Sequence, residues 1–124
     1  MSSISIFDLA YISEVICPDV LSVDGGAFID PHRKGLHHLT QRINGYNSRQ
    51  EAQKWINSVS FEDYLDGLVP DWNERIEDLQ KFVDIVKRAW EGSTEKSGFD
   101  PHTFEVRCNH DQEMRELTFF LCQR

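Results

Sequence analysis

Five histidines and three cysteines supply the kinds of nitrogen and sulfur ligand from which protein zinc sites are built. Their spacing does not favour a shared ion. His37 and His38 are adjacent, so on a helix their side chains point about 100 degrees apart. Cys108 and His110 alternate, which on a strand places them on one face, but that face is predicted to be buried. We therefore predict no bound metal and no other cofactor, although the candidate ligands are His32, His37, His38, His102, His110, Cys17, Cys108 and Cys122.

No motif in the chain marks an activated nucleophile or a phosphate-binding loop. The patterns G-x-S-x-G and H-E-x-x-H are missing, and the glycine pair at 25–26 lacks the spacing of nucleotide-binding loops. Residue type alone would allow Cys108 or Cys122 to pair with His102 or His110. The sequence favours a protein that is not an enzyme, with no catalytic residue assigned. A small enzyme or metalloprotein that uses cysteine and histidine is an alternative.

The acidic segment, residues 61–78, is the most informative stretch of the chain. It holds seven acids and one base, Arg75, around the large apolar residues Tyr64, Leu68 and Trp72. A negative surface that contains aromatic residues suits a basic protein partner and repels nucleic acid. Indole side chains are also frequent anchors at protein interfaces. We therefore predict a partner-binding surface made of Glu62, Asp63, Asp66, Trp72, Glu74 and Asp78.

The same residues have a structural interpretation that the sequence leaves open. Exposed acids in a run are usually solvated, and their charge favours solubility. Trp72 also fits the first core position of the long helix that is predicted to follow. The two interpretations differ in whether the indole faces a partner or the protein interior.

The N-terminal residues carry a pattern of a different kind. Residues 4–15 read ISIFDLAYISEV and are followed by VDGGA at 23–27. This pattern resembles the double-glycine leaders of bacterial exported or modified peptides, in which an acidic amphipathic helix precedes a Gly-Gly cleavage site. The resemblance implies a precursor that is cut after Gly26, with Val23 at the aliphatic position four residues from the cut. An ordinary turn at 24–26 is the alternative.

Length and charge narrow the class of protein. At 124 residues, of which 40% are hydrophobic, the chain is long enough for one domain with a real core. A formal net charge of −8 argues against binding nucleic acid or an anionic membrane through a broad basic surface. No apolar run approaches the roughly 20 residues that span a bilayer. Three cysteines without C-x-x-C spacing are typical of reduced thiols, so we predict a cytoplasmic protein.

The middle of the chain, at residues 36–91, is predicted to be mainly helical. Residues 1–34 are expected to form an irregular N-terminal segment with one short helix and a loop at 24–34, because Pro and Gly recur there. From residue 35 the apolar spacing becomes helical, and Ser48 with Glu51 forms a capping box for a helix that carries Trp55 and Val59 inward. From residue 35 on, the predicted helices cover about 36–44, 49–59, 61–67 and 71–91. Any helix before them is confined to about 7–16, and a short strand at Ile4–Ile6 is equally possible.

The longest predicted helix, about 71–91, has the clearest pattern. Its apolar residues recur at spacings of three and four, which defines one buried face. Gly92 is expected to end it. The apolar positions are Trp72, Ile76, Leu79, Val83, Val86 and Trp90.

After Pro101 the apolar period changes to two, which predicts an antiparallel hairpin of strands at about 103–108 and 115–122. We expect position numbers of opposed residues to sum to 223, so that Phe104 faces Phe119 and Arg107 faces Glu116. The hairpin alone would be marginal, because two strands need a third strand or a covering helix. The long helix is the expected cover, and residues near Ile4–Ile6 are a candidate third strand.

Together these patterns predict a single α+β domain, with three or four helices packed on a small antiparallel sheet. Phe120 and Cys122 fall on the outer face of the predicted hairpin. A neighbouring element or a second subunit is expected to cover that face. Self-association through Phe120, giving a homo-oligomer, is therefore a secondary prediction.

Overall fold

The α+β class predicted from the sequence is confirmed by the computed structural model, which describes residues 12–123. In this part of the chain the strands form two antiparallel sheets, a β1–β2 hairpin and a three-stranded sheet in the order β3-β5-β4. None of the helices found between residues 12 and 123 is long and apolar enough to cross a membrane. The elements are a helical turn at 12–16, β1 (Asp19–Val23), β2 (Gly26–Asp30), α1 (Leu36–Asn44), α2 (Arg49–Ile56), β3 (Ser58–Ser60), α3 (Glu62–Leu68), α4 (Ile76–Lys96), β4 (Phe104–Asp111) and β5 (Glu116–Gln123).

The loop predicted at 24–34 was wrong, because its first residues form a hairpin turn and a strand. Asp24 and Gly25 have φ angles of 49° and 81°. Two positive φ values in succession are those of a type I′ turn, which fits the twist of a two-residue hairpin. The turn that the sequence allowed at 24–26 is therefore present at Asp24 and Gly25, whereas the strand that follows it was not predicted. The predicted helix at 7–16 is helical at 12–16, and its earlier residues lie outside the described part.

Strand β2 lies between the two hydrophobic clusters of the fold. All five of its residues are buried, although a strand at the surface would expose alternate side chains. Ala27 and Ile29 belong to the larger cluster, which contains Trp90 and Phe119, while Phe28 packs in the smaller cluster formed with α1 and α2. The residue types of β2 therefore read as a continuous apolar run rather than as an alternation.

Asn57 joins the two sheets through hydrogen bonds in the protein interior. Its side-chain Nδ2 donates to the Ala27 carbonyl at 2.9 Å, and its Oδ1 accepts from the Ile29 amide at 3.0 Å. Its own carbonyl accepts from the Leu121 amide of β5 at 2.9 Å. The side chain of Asn57 thus satisfies the hydrogen-bonding groups of β2 that face it. The main chain of the same residue extends the pairing of β3 with β5.

Helices α1 and α2 follow the prediction at their starts but not at every position. Ser48 Oγ accepts from the Glu51 amide at 3.1 Å, as the capping box requires. The inward position predicted for Trp55 was wrong, because the indole is 55% exposed. Ala52 and Ile56, four residues apart, define the buried face of a helix of only eight residues, and Trp55 lies beside that face. Val59, predicted to be helical, lies in β3.

Helix α4 is displaced by five residues from its prediction, running from Ile76 to Lys96 rather than over 71–91. Gly92 does not stop it, and the chain leaves the helix at Ser97 and Gly98, whose φ of +93° suits glycine. The predicted inner face is correct from Leu79 to Trp90. The residues before Ile76 leave the helix because tertiary contacts hold them in a turn, as described below.

The C-terminal hairpin exists, but its predicted register was wrong by four residues. Opposed positions sum to 227, so Phe104 faces Gln123 and Cys108 faces Phe119. Because four is an even number, the buried face is unchanged, whereas the predicted pair of Arg107 with Glu116 does not form. Arg107 instead forms an ion pair of 3.0 Å with Glu105 on its own strand. Each strand is eight residues long, which confines the loop to 112–115.

The third strand and the cover of the outer face both come from residues 49–60. β3 pairs with β5, placing Val59 opposite Phe119, whereas Ile4–Ile6 lies outside the described residues. Phe120 and Cys122 are half-buried and share a surface depression with Gln53 of α2. A neighbouring element therefore covers part of this face, as one of the two alternatives predicted, and self-association stays a prediction.

Candidate protein-binding surface

The acidic segment folds as α3, a turn at 69–75 and the first residues of α4. Within the turn, the Trp72 amide donates to the Val69 carbonyl at 2.9 Å and the Arg75 amide to the Trp72 carbonyl at 3.2 Å. Asp71 accepts from Arg75 Nε at 2.9 Å, which closes the turn from outside. The segment therefore presents its acids on two short helical stretches and the bend between them.

Trp72 is a core residue of this turn. It is 3% exposed and belongs to the larger cluster. Its indole Nε1 donates to Asp66 Oδ1 at 2.7 Å, and the guanidinium of Arg115 lies 5.5 Å from the ring centroid. A buried indole of this kind contributes mainly to folding, and a partner would meet only its edge.

Arg115 organises the acidic segment, although the sequence offered no signal for it. Its Nη2 donates to Asp66 Oδ1 at 2.9 Å and to the Pro70 carbonyl at 3.1 Å, and its Nη1 lies 3.4 Å from Glu74 Oε1. Arg115 is in the β4–β5 loop, with a φ of 54° that few non-glycine residues adopt. The structure thus gathers Asp66, Trp72 and Glu74 around one guanidinium.

A second polar contact fixes the turn to the same hairpin. Asn73 is buried, and its Nδ2 donates to the Gln112 carbonyl at 2.8 Å. Its Oδ1 lies 2.8 Å from His110 Nε2, so the oxygen accepts and the imidazole Nε2 carries the proton. Gln112 Nε2 donates back to the Asn73 carbonyl at 3.2 Å. These reciprocal bonds explain why residues 70–75 do not join α4.

The other predicted site residues point in different directions. Glu62 Oε2 accepts from the Leu117 amide at 3.1 Å, so its carboxylate is engaged by β5. Asp78 Oδ2 lies 3.7 Å from Arg75 Nη1, and Asp63 is exposed on α3. The predicted set therefore divides into residues that hold the fold and residues that are available to a partner.

An apolar groove opens between α3 and α4 beside these acids. It has a volume of about 130 Å³, with Arg75 and Asp78 at its mouth. Val69, which is 37% exposed, forms part of its wall. The remaining wall residues are Leu65, Trp72, Leu79 and Phe82. We call this feature, with the acids that surround it, the acidic groove.

The titration of Asp66 provides a direct test of these contacts. The hydrogen bond from Trp72, followed by that from Arg115, holds the pKa of Asp66 below its ordinary value of 3.8, against the opposing effect of desolvation. Its contribution to stability is therefore fully present above 3.8 and is lost as the pH falls through the lower folded-state pKa. We expect an NMR titration of the carboxyl carbon to give a midpoint below 3.8. Trp72→Phe should raise that midpoint more than Arg115→Gln does, and equal midpoints in all three proteins would contradict the assignment.

Cys108 and His110, the most suggestive catalytic pair in the sequence, do not form an activated site. Both line a cavity of about 180 Å³ against α4. Burial raises the pKa of the Cys108 thiol to about 11, although Lys87 opposes the effect, so the thiol is neutral at physiological pH. His110 is engaged with Asn73. Among residues 12–123, no three His, Cys, Asp or Glu side chains are grouped closely enough to hold a metal ion.

We compared the chain with protein-family models, with curated proteins and with solved structures. No family model, curated protein or solved structure matches it.

Proposed function

We propose that this is a non-enzymatic binding protein of the cytoplasm, which uses the acidic groove to hold a basic protein partner. The observation that supports the proposal is the position of an apolar groove within the most acidic part of the chain. Acids alone attract any cation, and a groove alone binds any apolar group. Their combination favours a segment that offers both, such as a lysine- or arginine-rich helix with an exposed leucine.

Three acids are suited to attract the partner because they are exposed and no short hydrogen bond to their carboxylates is found among the described residues. Asp63, Glu74 and Asp78 are exposed, and the ion pairs that Glu74 and Asp78 make are long, at 3.4 and 3.7 Å. Glu62 and Asp66, in contrast, accept hydrogen bonds from the Leu117 amide and the Trp72 indole. Neutralising the first three should change the electrostatic field of the surface without removing these hydrogen bonds.

The test measures binding of a fluorescent, lysine-rich amphipathic helical peptide that carries leucine. We expect Asp63→Asn, Glu74→Gln and Asp78→Asn together to weaken binding about tenfold, because exposed ion pairs contribute about 0.2–1 kcal/mol each. The dependence of affinity on salt should also become shallower. The measurement is fluorescence anisotropy at several salt concentrations.

The matched control carries the same change in net charge at other positions, through Asp19→Asn, Asp84→Asn and Glu116→Gln. If control and test variants lose affinity equally, net charge rather than the acidic groove attracts the peptide, and the proposal is wrong. Val69→Ser tests the contribution of the apolar groove wall to binding. We expect this variant to bind the peptide about threefold more weakly, with an unchanged dependence of affinity on salt. Capture of the tagged protein from its native cells, with the test variant as comparison, would then identify the partner.

A further inference from the structure

The outer edge of β4 carries backbone groups that no described residue pairs. On β5, the Leu121 amide and the Leu117 carbonyl bond towards β3, through Asn57 and Phe61. Successive residues of a strand direct their amide and carbonyl groups to opposite sides. The even-numbered residues of β5 therefore bond towards β4, where their partners, such as Arg107 opposite Phe120, are odd-numbered.

It follows that Val106, Cys108 and His110 direct their amide and carbonyl groups away from β5. In the part of the chain that the structure describes, these groups make no backbone hydrogen bond outside the hairpin. An exposed strand edge of this kind is a template for an additional strand. The edge from Val106 to Asp111 spans six residues, or about 20 Å at the usual rise.

Two cavities lie along this edge, between β4 and α4. The first, of about 180 Å³, is formed by Cys108 and His110 with Ile76, Leu79 and Val83 of α4, and no residue of β5 lines it. The second, of about 300 Å³, has Phe104 and Val106 in its wall with Glu91 and Glu95 of α4. Helix α4 therefore runs antiparallel to β4, with one cavity at each end of the shared groove. We call this the edge groove.

We propose that the edge groove binds an extended basic segment of a partner protein, which adds to β4 as a fourth strand of the sheet. The main chain of the segment would pair with the amide and carbonyl groups of Val106, Cys108 and His110 that point away from β5. Side chains on one face of the added strand would enter the two cavities, since alternate residues of a strand share a face. The edge groove shares Leu79 with the acidic groove but is otherwise lined by different residues, so the inference goes beyond the proposed function.

Charge determines the side chain that suits the larger cavity. Glu91 and Glu95 are both exposed and are four residues apart on one face of α4, where like charges repel. A lysine or arginine between them would relieve that repulsion and lay its methylene groups on Phe104 and Val106. The smaller cavity has Ile76, Leu79 and Val83 in its wall, together with Gln80 and Lys87. The charge of Lys87 disfavours a second basic residue there, so an aliphatic side chain suits this cavity better.

The spacing of the two cavities fixes the pattern of the segment. One cavity adjoins residues 104–106 of β4 and the other adjoins 108–110, so their centres are four residues apart. A basic and an aliphatic residue separated by three others would occupy both. A second copy of this chain does not supply that pattern through its own β4, because Arg107 has Thr103 and Asp111, and no aliphatic residue, four positions away.

The experiment uses a short threonine-rich peptide with lysine and valine four positions apart, together with its reversed sequence, since either strand direction is compatible with the edge. Amide hydrogen exchange is followed by NMR in the full-length protein. At saturating peptide we expect exchange at Val106, Cys108 and His110 to slow at least tenfold. Two further peptides are methylated at every second backbone nitrogen, one at the odd positions and one at the even positions. The peptide whose methyl groups block the amides that face β4 should bind about tenfold more weakly, and the other should bind normally.

Variants of the cavity separate this site from the acidic groove. We expect Glu91→Gln with Glu95→Gln to weaken the lysine peptide about tenfold, while Glu113→Gln with Glu116→Gln, a control of equal charge change, leaves it unchanged. The triple variant that tests the acidic groove should also bind this peptide normally. The two proposals can therefore be contradicted independently of each other. Absence of binding, or unchanged exchange at saturation, would overturn the inference. So would protection of the same amides at high protein concentration without peptide, which would assign the edge to a second copy.

Discussion

Replacing Asn57 with alanine is expected to reduce the free energy of unfolding by about 3 kcal/mol, because the change leaves two buried backbone groups unsatisfied at roughly 1–3 kcal/mol each. The groups are the Ile29 amide, which donates to Asn57 Oδ1, and the Ala27 carbonyl, which accepts from Asn57 Nδ2. The residue is 3% exposed, so water does not reach the site freely to replace it. Urea denaturation followed by circular dichroism measures the loss.

Asn109→Ala is the matched control, because Asn109 is exposed on β4 and its removal should change the stability by less than about 0.5 kcal/mol. Amide exchange of Ile29 provides a local readout, and we expect it to accelerate in the Asn57 variant beyond the global loss of stability. A loss of stability no larger than that of the control would show that Asn57 does not join the sheets. An unchanged Ile29 amide would lead to the same conclusion.

The sequence predicted which faces are buried better than it predicted how the elements align. The alternation of Phe104, Val106 and Cys108 determines a face, and any register shifted by an even number preserves that face. The register itself depends on where the loop closes, and the loop closes around Arg115, a residue with positive φ. The alternation therefore determined which face is buried, whereas the position at which the loop closes determined the alignment of the strands.

The same distinction explains the error in α4. The period of three and four from Trp72 to Trp90 is real, and most of the face that it defines is buried. Trp72 is buried too, but as part of a turn, because Asn73 bonds to Gln112 across 39 positions of sequence. No property of residues 70–75 alone reveals that contact. In contrast, Asp24-Gly25 was a local signal that the sequence did contain.

The acidic surface is less negative in the structure than its composition indicates. Of its seven acids, Asp66 and Glu74 face Arg115, and Asp71 and Asp78 face Arg75. Glu62 accepts from a backbone amide of β5. The number of acids in the sequence predicted one continuous negative surface, although several of these acids make contacts that hold the turn in place. Of the acids in this segment, Asp78 lines the apolar groove, although it also lies 3.7 Å from Arg75.

Trp72→Ala should destabilise the protein by about 4 kcal/mol, within the range for removing a buried aromatic side chain. The change opens a cavity in the larger cluster and removes the donor to Asp66. Arg115 also loses the ring beneath its guanidinium. The measurement is again urea denaturation. Trp55→Ala removes an equal side chain that is 55% exposed, and should cost less than about 1 kcal/mol.

Trp72→Phe separates the core role of the indole from the role of partner anchor predicted from the sequence. Phenylalanine retains most of the buried apolar surface and loses the bond to Asp66, so we expect a cost of about 1–2 kcal/mol. Because a partner meets only the edge of the ring, affinity for the lysine-rich amphipathic peptide should stay within about threefold of the native value. If Trp72→Phe lowers the free energy of unfolding by no more than this amount but weakens peptide binding more than about tenfold, Trp72 is an anchor for the partner. The buried indole would then have to become accessible when the partner binds.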